Sequence, residues 1–143
     1  MKIGDSRGGT AYLLDTSAVV ALTDAEAGAD RVVKILRSEP VLLPFVVSLE
    51  VYYVSLQEKG EQAANIRYAM LKALDATHLN EVSESVLLIA GRLKAHYRIS
   101  LADAIIAAYA RSHDAVLVHK DPEFEALAGQ VRLEALPYKA RKH

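Results

Sequence analysis

The sequence predicts an α/β fold with a central, mainly parallel sheet covered on both faces, and three observations carry that reading. Short apolar runs at residues 11–14, 41–43 and 115–118 have the unbroken character of strands buried on both faces. Helical segments separate them, which is the alternation of a parallel sheet. The stretch Ser100-Leu101-Ala102-Asp103-Ala104-Ile105-Ile106-Ala107-Ala108-Tyr109-Ala110-Arg111 is a helix apolar nearly all round, and such a helix belongs in a protein interior. Asp103 interrupts it, and a buried carboxylate needs a partner.

In chain order, Ala11-Tyr12-Leu13-Leu14 is a strand that ends in the polar turn Asp15-Thr16-Ser17. Residues 18–22 begin a helical turn. Residues 24–37 continue as an amphipathic helix with Val32, Val33, Ile35 and Leu36 inward. Residues 41–43 form the second strand. Pro44 suits a first helical position, where its missing N–H costs nothing. The helix it opens runs to about Lys59, with Gly60 as its stop. Residues 61–74 return as the second arm of a helical hairpin, and residues 77–82 give a third strand. Ser83, with Glu84 in the first turn, opens a helix to about Tyr97. Ser100 caps the central helix. Residues 115–118 form a strand ending in His119-Lys120-Asp121-Pro122, residues 123–128 a short helix, and residues 131–133 an edge strand. The domain is expected over residues 11–135, after a loose leader at residues 1–10 and before a basic tail at residues 136–143.

At 143 residues the chain is one domain by length. A hydrophobic content of 52% against 24% charged residues makes it globular rather than disordered. The absence of Cys removes disulfides, thiolate zinc sites and a cysteine nucleophile, and fits a reducing cytoplasmic setting. A net charge of −1 lacks the overall basic footprint of a general nucleic-acid binder, so contacts to a polyanion must come from local clusters. The leading residues have no apolar core of a signal peptide. The longest apolar stretch, residues 41–56, is interrupted by Pro44, Ser48 and Glu50 and falls short of the about 20 residues of a membrane span.

Four carboxylates carry the functional argument. Asp15 and Asp121 each come at or just beyond the end of a strand, on the carboxyl edge where ligands of open α/β sheets bind. Glu50 and Asp103 each interrupt an apolar helical stripe. Each also has an ordinary structural reading: Asp15 as an N-cap, Asp103 as the acid of a capping box with Ser100, Asp121 as a turn residue before Pro122, and Glu50 as an exposed helical acid. Four converging carboxylates would repel one another and raise their pKa values. A hard divalent cation removes the repulsion, since Mg²⁺ prefers oxygen ligands. The implied chemistry is metal-dependent phosphoryl hydrolysis.

Other constellations are thin. The histidines show no paired zinc spacing, and no phosphate-binding glycine loop or nucleophile elbow appears. Arg92, Lys94 and Arg98 flank the entry to the central helix and Lys120 adjoins Asp121. They read either as a solvated face or as contacts to substrate phosphates. Tyr52, Tyr53 and Tyr97 read as packing residues that are also able to stack on bases.

Four ordered fragments resemble PIN-domain ribonucleases, and more narrowly the VapC-type toxins: Leu13-Leu14-Asp15-Thr16-Ser17-Ala18, Ser48-Leu49-Glu50-Val51, Ile99-Ser100-Leu101-Ala102-Asp103-Ala104 and Asp121-Pro122-Glu123-Phe124. The resemblance implies a three-layer α/β/α fold and a single-strand-specific endoribonuclease dependent on Mg²⁺ or Mn²⁺. It makes Asp15, Glu50, Asp103 and Asp121 the metal-binding and catalytic quartet, with Ser17 orienting Asp15. It further implies a homodimer and a small antitoxin, for which the helix surfaces around residues 46–56 and 66–74 are the expected contacts. One position departs from the pattern. His119 stands where many relatives carry a hydroxyl, so an imidazole either replaces that hydrogen bond or enters the metal shell, and Glu123 becomes a substitute for Asp121. A PIN nuclease of RNA processing without antitoxin, a non-catalytic PIN-like binding module and a receiver-like signalling domain are the other readings. The last leaves the acids on two helices poorly explained.

Overall fold

The computed structural model describes residues 9–139. The described residues contain five strands, β1 (Tyr12–Leu14), β2 (Val41–Pro44), β3 (Thr77–Leu79), β4 (Val116–His119) and β5 (Leu133–Ala135). They form one sheet in the order β3-β2-β1-β4-β5 with every pairing parallel. Six α-helices accompany it: α1 (Thr16–Thr23), α2 (Ala29–Ser38), α3 (Phe45–Lys59), α4 (Glu61–Ala73), α5 (Glu84–His96) and α6 (Leu101–Ser112). A 3₁₀ segment spans Pro122–Leu127. The α/β class with a parallel sheet flanked by helices is as expected. No helix among the described residues is long and apolar enough to cross a membrane.

Strand order positions the site. From β1 the chain moves outward to β2 and β3, then returns to lay β4 on the other side of β1. The carboxyl ends of β1 and β4 therefore flank a topological switch point, the crevice where such sheets bind ligands. Leu13, Leu14, Leu42, Leu43, Leu117 and Val118 are buried in the middle of the sheet. This explains why these strands read as apolar runs without alternation.

Several boundaries differ from expectation for identifiable reasons. The helix expected from residue 24 starts only at Ala29, because the turn before it uses left-handed backbone at Ala25 (φ 52°) and Gly28 (φ 99°). A side chain at Gly28 would also meet Leu136, with Cβ to Cβ at 3.0 Å. Pro44 closes β2 in extended conformation and caps α3 rather than opening it. The third strand is shorter than expected, Thr77–Leu79, and lies at the sheet edge. The last strand is displaced from residues 131–133 to Leu133–Ala135. Val131 N still donates to Leu127 O at the end of the 3₁₀ segment, and the ladder begins with Leu133 opposite Leu117.

The central helix α6 is apolar all round in a narrower sense than its sequence suggests. Ala104 and Ile106 to Ala110 are buried, and the helix packs against α5 and α3. Its first turn emerges from the core, with Leu101 61% exposed and Asp103 half-buried. Asp103 thus stands where the rigid helix meets solvent.

The packed chain continues beyond residue 135. Leu136 is buried and its N–H donates to His119 O at 2.7 Å. Arg31 of α2 grips Glu134 of β5 with two hydrogen bonds of 2.7 and 3.0 Å. The expected leader, apart from Gly9 and Thr10, and the expected basic tail beyond Lys139 lie outside the described residues.

Tyr109 anchors α6 to the loop before α5, its hydroxyl donating to Glu81 O at 2.6 Å from a buried ring. Replacing Tyr109 by Phe removes that bond and is expected to destabilise the protein by about 1 kcal/mol. Urea unfolding should show the midpoint falling with an unchanged slope.

Candidate active site

The site is built around Asp15, which is 2% exposed at the carboxyl end of β1. Asp15 caps α1: its Oδ1 accepts from Ala18 N at 2.8 Å. Ser17 Oγ lies 2.8 Å from both carboxylate oxygens and accepts from Lys120 N at 2.8 Å, which ties the β1–α1 turn to the end of β4. Burial pushes the Asp15 carboxyl up to about 7. The Ala18 N–H and the Ser17 hydroxyl oppose that shift, while the negative charges of Asp103 and Asp121 add to it.

Asp103 reaches the same cleft from the first turn of α6, where Ser100 caps the helix by accepting from Asp103 N at 3.1 Å. The Ser100 cap thus coexists with a place for Asp103 in the lining of the cleft. Burial pushes Asp103 up to about 6, helped by Asp121, Glu50 and Glu123, and Ser100 works in the opposite direction. Asp121 caps the 3₁₀ segment, accepting from Glu123 N at 2.9 Å. One carboxylate oxygen from each of Asp103, Asp121 and Glu123 lies within 4.8 Å of the others. Glu50 lines the cleft from α3 and is held by Thr16, whose hydroxyl donates to Glu50 Oε1 at 2.5 Å.

All four acids singled out in the sequence thus line one cleft of about 740 Å³ at the switch point. The tightest cluster, however, includes Glu123 rather than Asp15 or Glu50. The other candidates fare differently. His119 does not line the cleft; it is buried with its ring 5.3 Å from that of Phe124 and 6.1 Å from that of Tyr138. Burial lowers its pKa and keeps the imidazole neutral, and its Nδ1 has no hydrogen-bond partner. Lys120 lines the cleft, but its side chain is 4% exposed. Its ammonium donates to Ala27 O at 2.9 Å and sits 3.5 Å from Glu26 Oε1. Arg92, Lys94 and Arg98 are exposed and do not line the cleft.

Thr16, Glu26, Glu125, Tyr138 and Lys139 also line it and were not assigned from sequence. Thr16 sits in the Asp15-Thr16-Ser17 turn, which was the available signal. Glu26, Glu125, Tyr138 and Lys139 come together only through tertiary packing.

The donor set fits a hard divalent cation. Every group is a carboxylate oxygen, and such a cation would offset the like charges that add to the effect of burial on Asp15 and Asp103. Asp103, Asp121 and Glu123 are the residues close enough together to share one ion.

Residues 12–130 match the model of the PIN domain. No curated protein matches the chain significantly by sequence. Among solved structures, the fold is similar to VapBC2 of Rickettsia felis bound to a promoter DNA fragment. That likeness has a TM-score of 0.74 and 17% identity, covering 90% of this chain and 100% of the other. It is also similar to VapC20 of Mycobacterium tuberculosis, a sarcin–ricin-loop-cleaving toxin. There the TM-score is 0.68 at 21% identity, over 88% and 99% of the two chains. A toxin–antitoxin complex of Klebsiella pneumoniae gives a TM-score of 0.67 at 19% identity, over 90% and 99%. With its family model matched across most of its length and its acids gathered at the switch point, the chain belongs to the PIN-domain family.

Proposed function

We propose that the protein is a Mg²⁺- or Mn²⁺-dependent endoribonuclease that cleaves single-stranded RNA and serves as the toxin of a toxin–antitoxin pair. The observation that carries this reading is the cluster of Asp103, Asp121 and Glu123 oxygens within 4.8 Å, with Asp15 and Glu50 lining the same cleft. The sarcin–ricin-loop-cleaving activity of the similar Mycobacterium protein supports RNA as the substrate.

Asp103, Asp121 and Glu123 would hold the cation, with Asp15 and Glu50 completing the acidic wall. A bound divalent cation lowers the pKa of a coordinated water and neutralises charge on the phosphodiester. The chain's own contribution is placement. The Ser17 hydroxyl and the Ala18 N–H fix the Asp15 carboxyl. Thr16 fixes Glu50, and the cap at Ser100 fixes the turn that carries Asp103. Carboxylates held in this way would align the attacking water and accept its proton for in-line attack on phosphorus, as the opposite P–O bond breaks and the ribose oxygen leaves.

A second copy of the chain and a small antitoxin belong to the same proposal. Exposed apolar side chains support it: Leu49, Tyr53 and Leu56 on α3, and Ile66, Tyr68 and Met70 on α4. Between these helices lies a groove of about 810 Å³ whose lining, which includes Phe45, Leu49, Tyr52 and Tyr68, has no carboxylate. That composition suits protein contact rather than phosphodiester chemistry.

The deciding experiment incubates partner-free, folded protein with labelled single-stranded RNA and Mn²⁺, then repeats it with EDTA. Cleavage that EDTA abolishes is expected; its absence with Mn²⁺ would sink the enzyme reading. Asp103→Asn is expected to lower cleavage by about a hundredfold or more. At pH 8 without metal the same change should stabilise the fold by on the order of 1 kcal/mol, because it relieves like-charge repulsion at a partly exposed position. Loss of folding in this variant would contradict the assignment.

The pH dependence follows from the same carboxyls. Asp15 and Asp103 titrate near 7 and 6 in the folded protein, against 3.8 ordinarily. Between those limits the folded state holds more protons than the unfolded one, so their contribution to stability falls as pH rises from about 4 through 7. Metal-free protein should therefore melt at a lower temperature at pH 8 than at pH 5.5, and Mn²⁺ should close most of the gap. A Tm rising steadily with pH in EDTA would contradict this account.

A further inference from the structure

An RNA strand is a polyanion, and its binding depends on cations that meet its phosphates. The described lining of the cleft holds six carboxylates and two lysines, Lys120 and Lys139. Lys120 is committed elsewhere, enclosed with Ala27 O and Glu26. Lys139 is not: its side chain is 74% exposed and lies 3.3 Å from Glu26 Oε2. An ion pair this open to water contributes little, so its ammonium can exchange a carboxylate for a phosphate.

Tyr138 stands beside it with a partly exposed ring, 38% for the residue, at the cleft. The ring lies 6.1 Å from the buried His119 imidazole at an interplanar angle of 37°. Its hydroxyl donates to Glu125 Oε2 at 2.7 Å. Just upstream, Leu136 is buried and bonded to His119 O, which fixes the backbone. A ring held in this way loses little rotamer freedom when a base arrives.

We propose that Tyr138 and Lys139 form the RNA-binding rim of the cleft, with Tyr138 stacking on an unpaired base and Lys139 passing from Glu26 to a neighbouring phosphate. This rests on the ribonuclease reading of the acidic site and names how that site takes its substrate. Aromatic stacking explains a preference for single strands, because only an unpaired base has a free face to offer.

The test uses the full chain and a labelled single-stranded oligoribonucleotide of mixed sequence. Kd is read by fluorescence anisotropy in EDTA, and kcat and KM are read with Mn²⁺. Tyr138→Ala is expected to raise Kd and KM about tenfold while kcat falls less, and Tyr138→Phe to restore both to within about twofold. Lys139→Ala should weaken binding and flatten the salt dependence of log Kd by about 0.7. Circular dichroism checks folding; should Tyr138→Ala unfold, Lys139→Ala still decides through its salt slope. Wild-type protein that binds and cleaves, with Kd and salt slope unmoved by these changes, overturns the rim and leaves the nuclease reading standing. Binding that depends on both residues without Mn²⁺-dependent cleavage upholds the rim and removes the nuclease reading. Folded wild-type protein that does not bind the oligonucleotide overturns the rim outright.

Discussion

A carboxylate buried at the end of a central strand has to be hydrogen-bonded, or its desolvation costs several kcal/mol. At Asp15 the donors are the Ala18 N–H and the Ser17 hydroxyl, and each has a second consequence. The first starts α1. The second, by accepting from Lys120 N, joins the ends of β1 and β4 across the switch point. One acid therefore sets the start of a helix and the spacing of two strand ends. Asp121 follows from β4 in its place, and Asp103 faces them from α6, whose core-packed turns hold it still. The cost of burying these acids, and next to it that of bringing like charges together, appears in the raised carboxyls of Asp15 and Asp103.

Much of this frame was legible in the chain. Strands buried on both faces announce themselves as apolar runs, and Asp15 and Asp121 fall near strand ends because the carboxyl edge is where polar residues are tolerated. The Ser100 cap could be read from its spacing to Asp103. What escaped the sequence depends on contacts between distant segments. Thr16 reaches Glu50 across 34 positions, and Lys120 is drawn to the carbonyl of Ala27 across 93. Lys120 looked like a phosphate contact from its neighbour Asp121, yet the turn before α2 had already claimed its charge. Arg92, Lys94 and Arg98 precede α6 in sequence, but they are not among the residues that line the cleft.

His119 shows the same limit from another side. Its place where many relatives carry a hydroxyl suggested a surrogate hydrogen bond or a metal ligand, while the strand alternation that brings Ser17 to Lys120 N turns the imidazole into an aromatic pocket. There it packs, neutral, between Phe124 and Tyr138. Glu123, reached by one 3₁₀ turn from Asp121, instead stands closest to the other two acids.

The buried Leu136 divides the molecule into two regimes of change. Upstream of it, alterations near the acids disturb strand ends and helix caps that also hold the core together. Downstream, Tyr138 and Lys139 rest on the surface through one ring contact, one hydroxyl bond and one exposed ion pair. Lys139 touches none of the interior there, and Tyr138 meets it through the His119 ring. The chemistry of this rim can accordingly change while the strand ends and caps that hold the acids stay as they are, so the two parts of the cleft are separable by substitution.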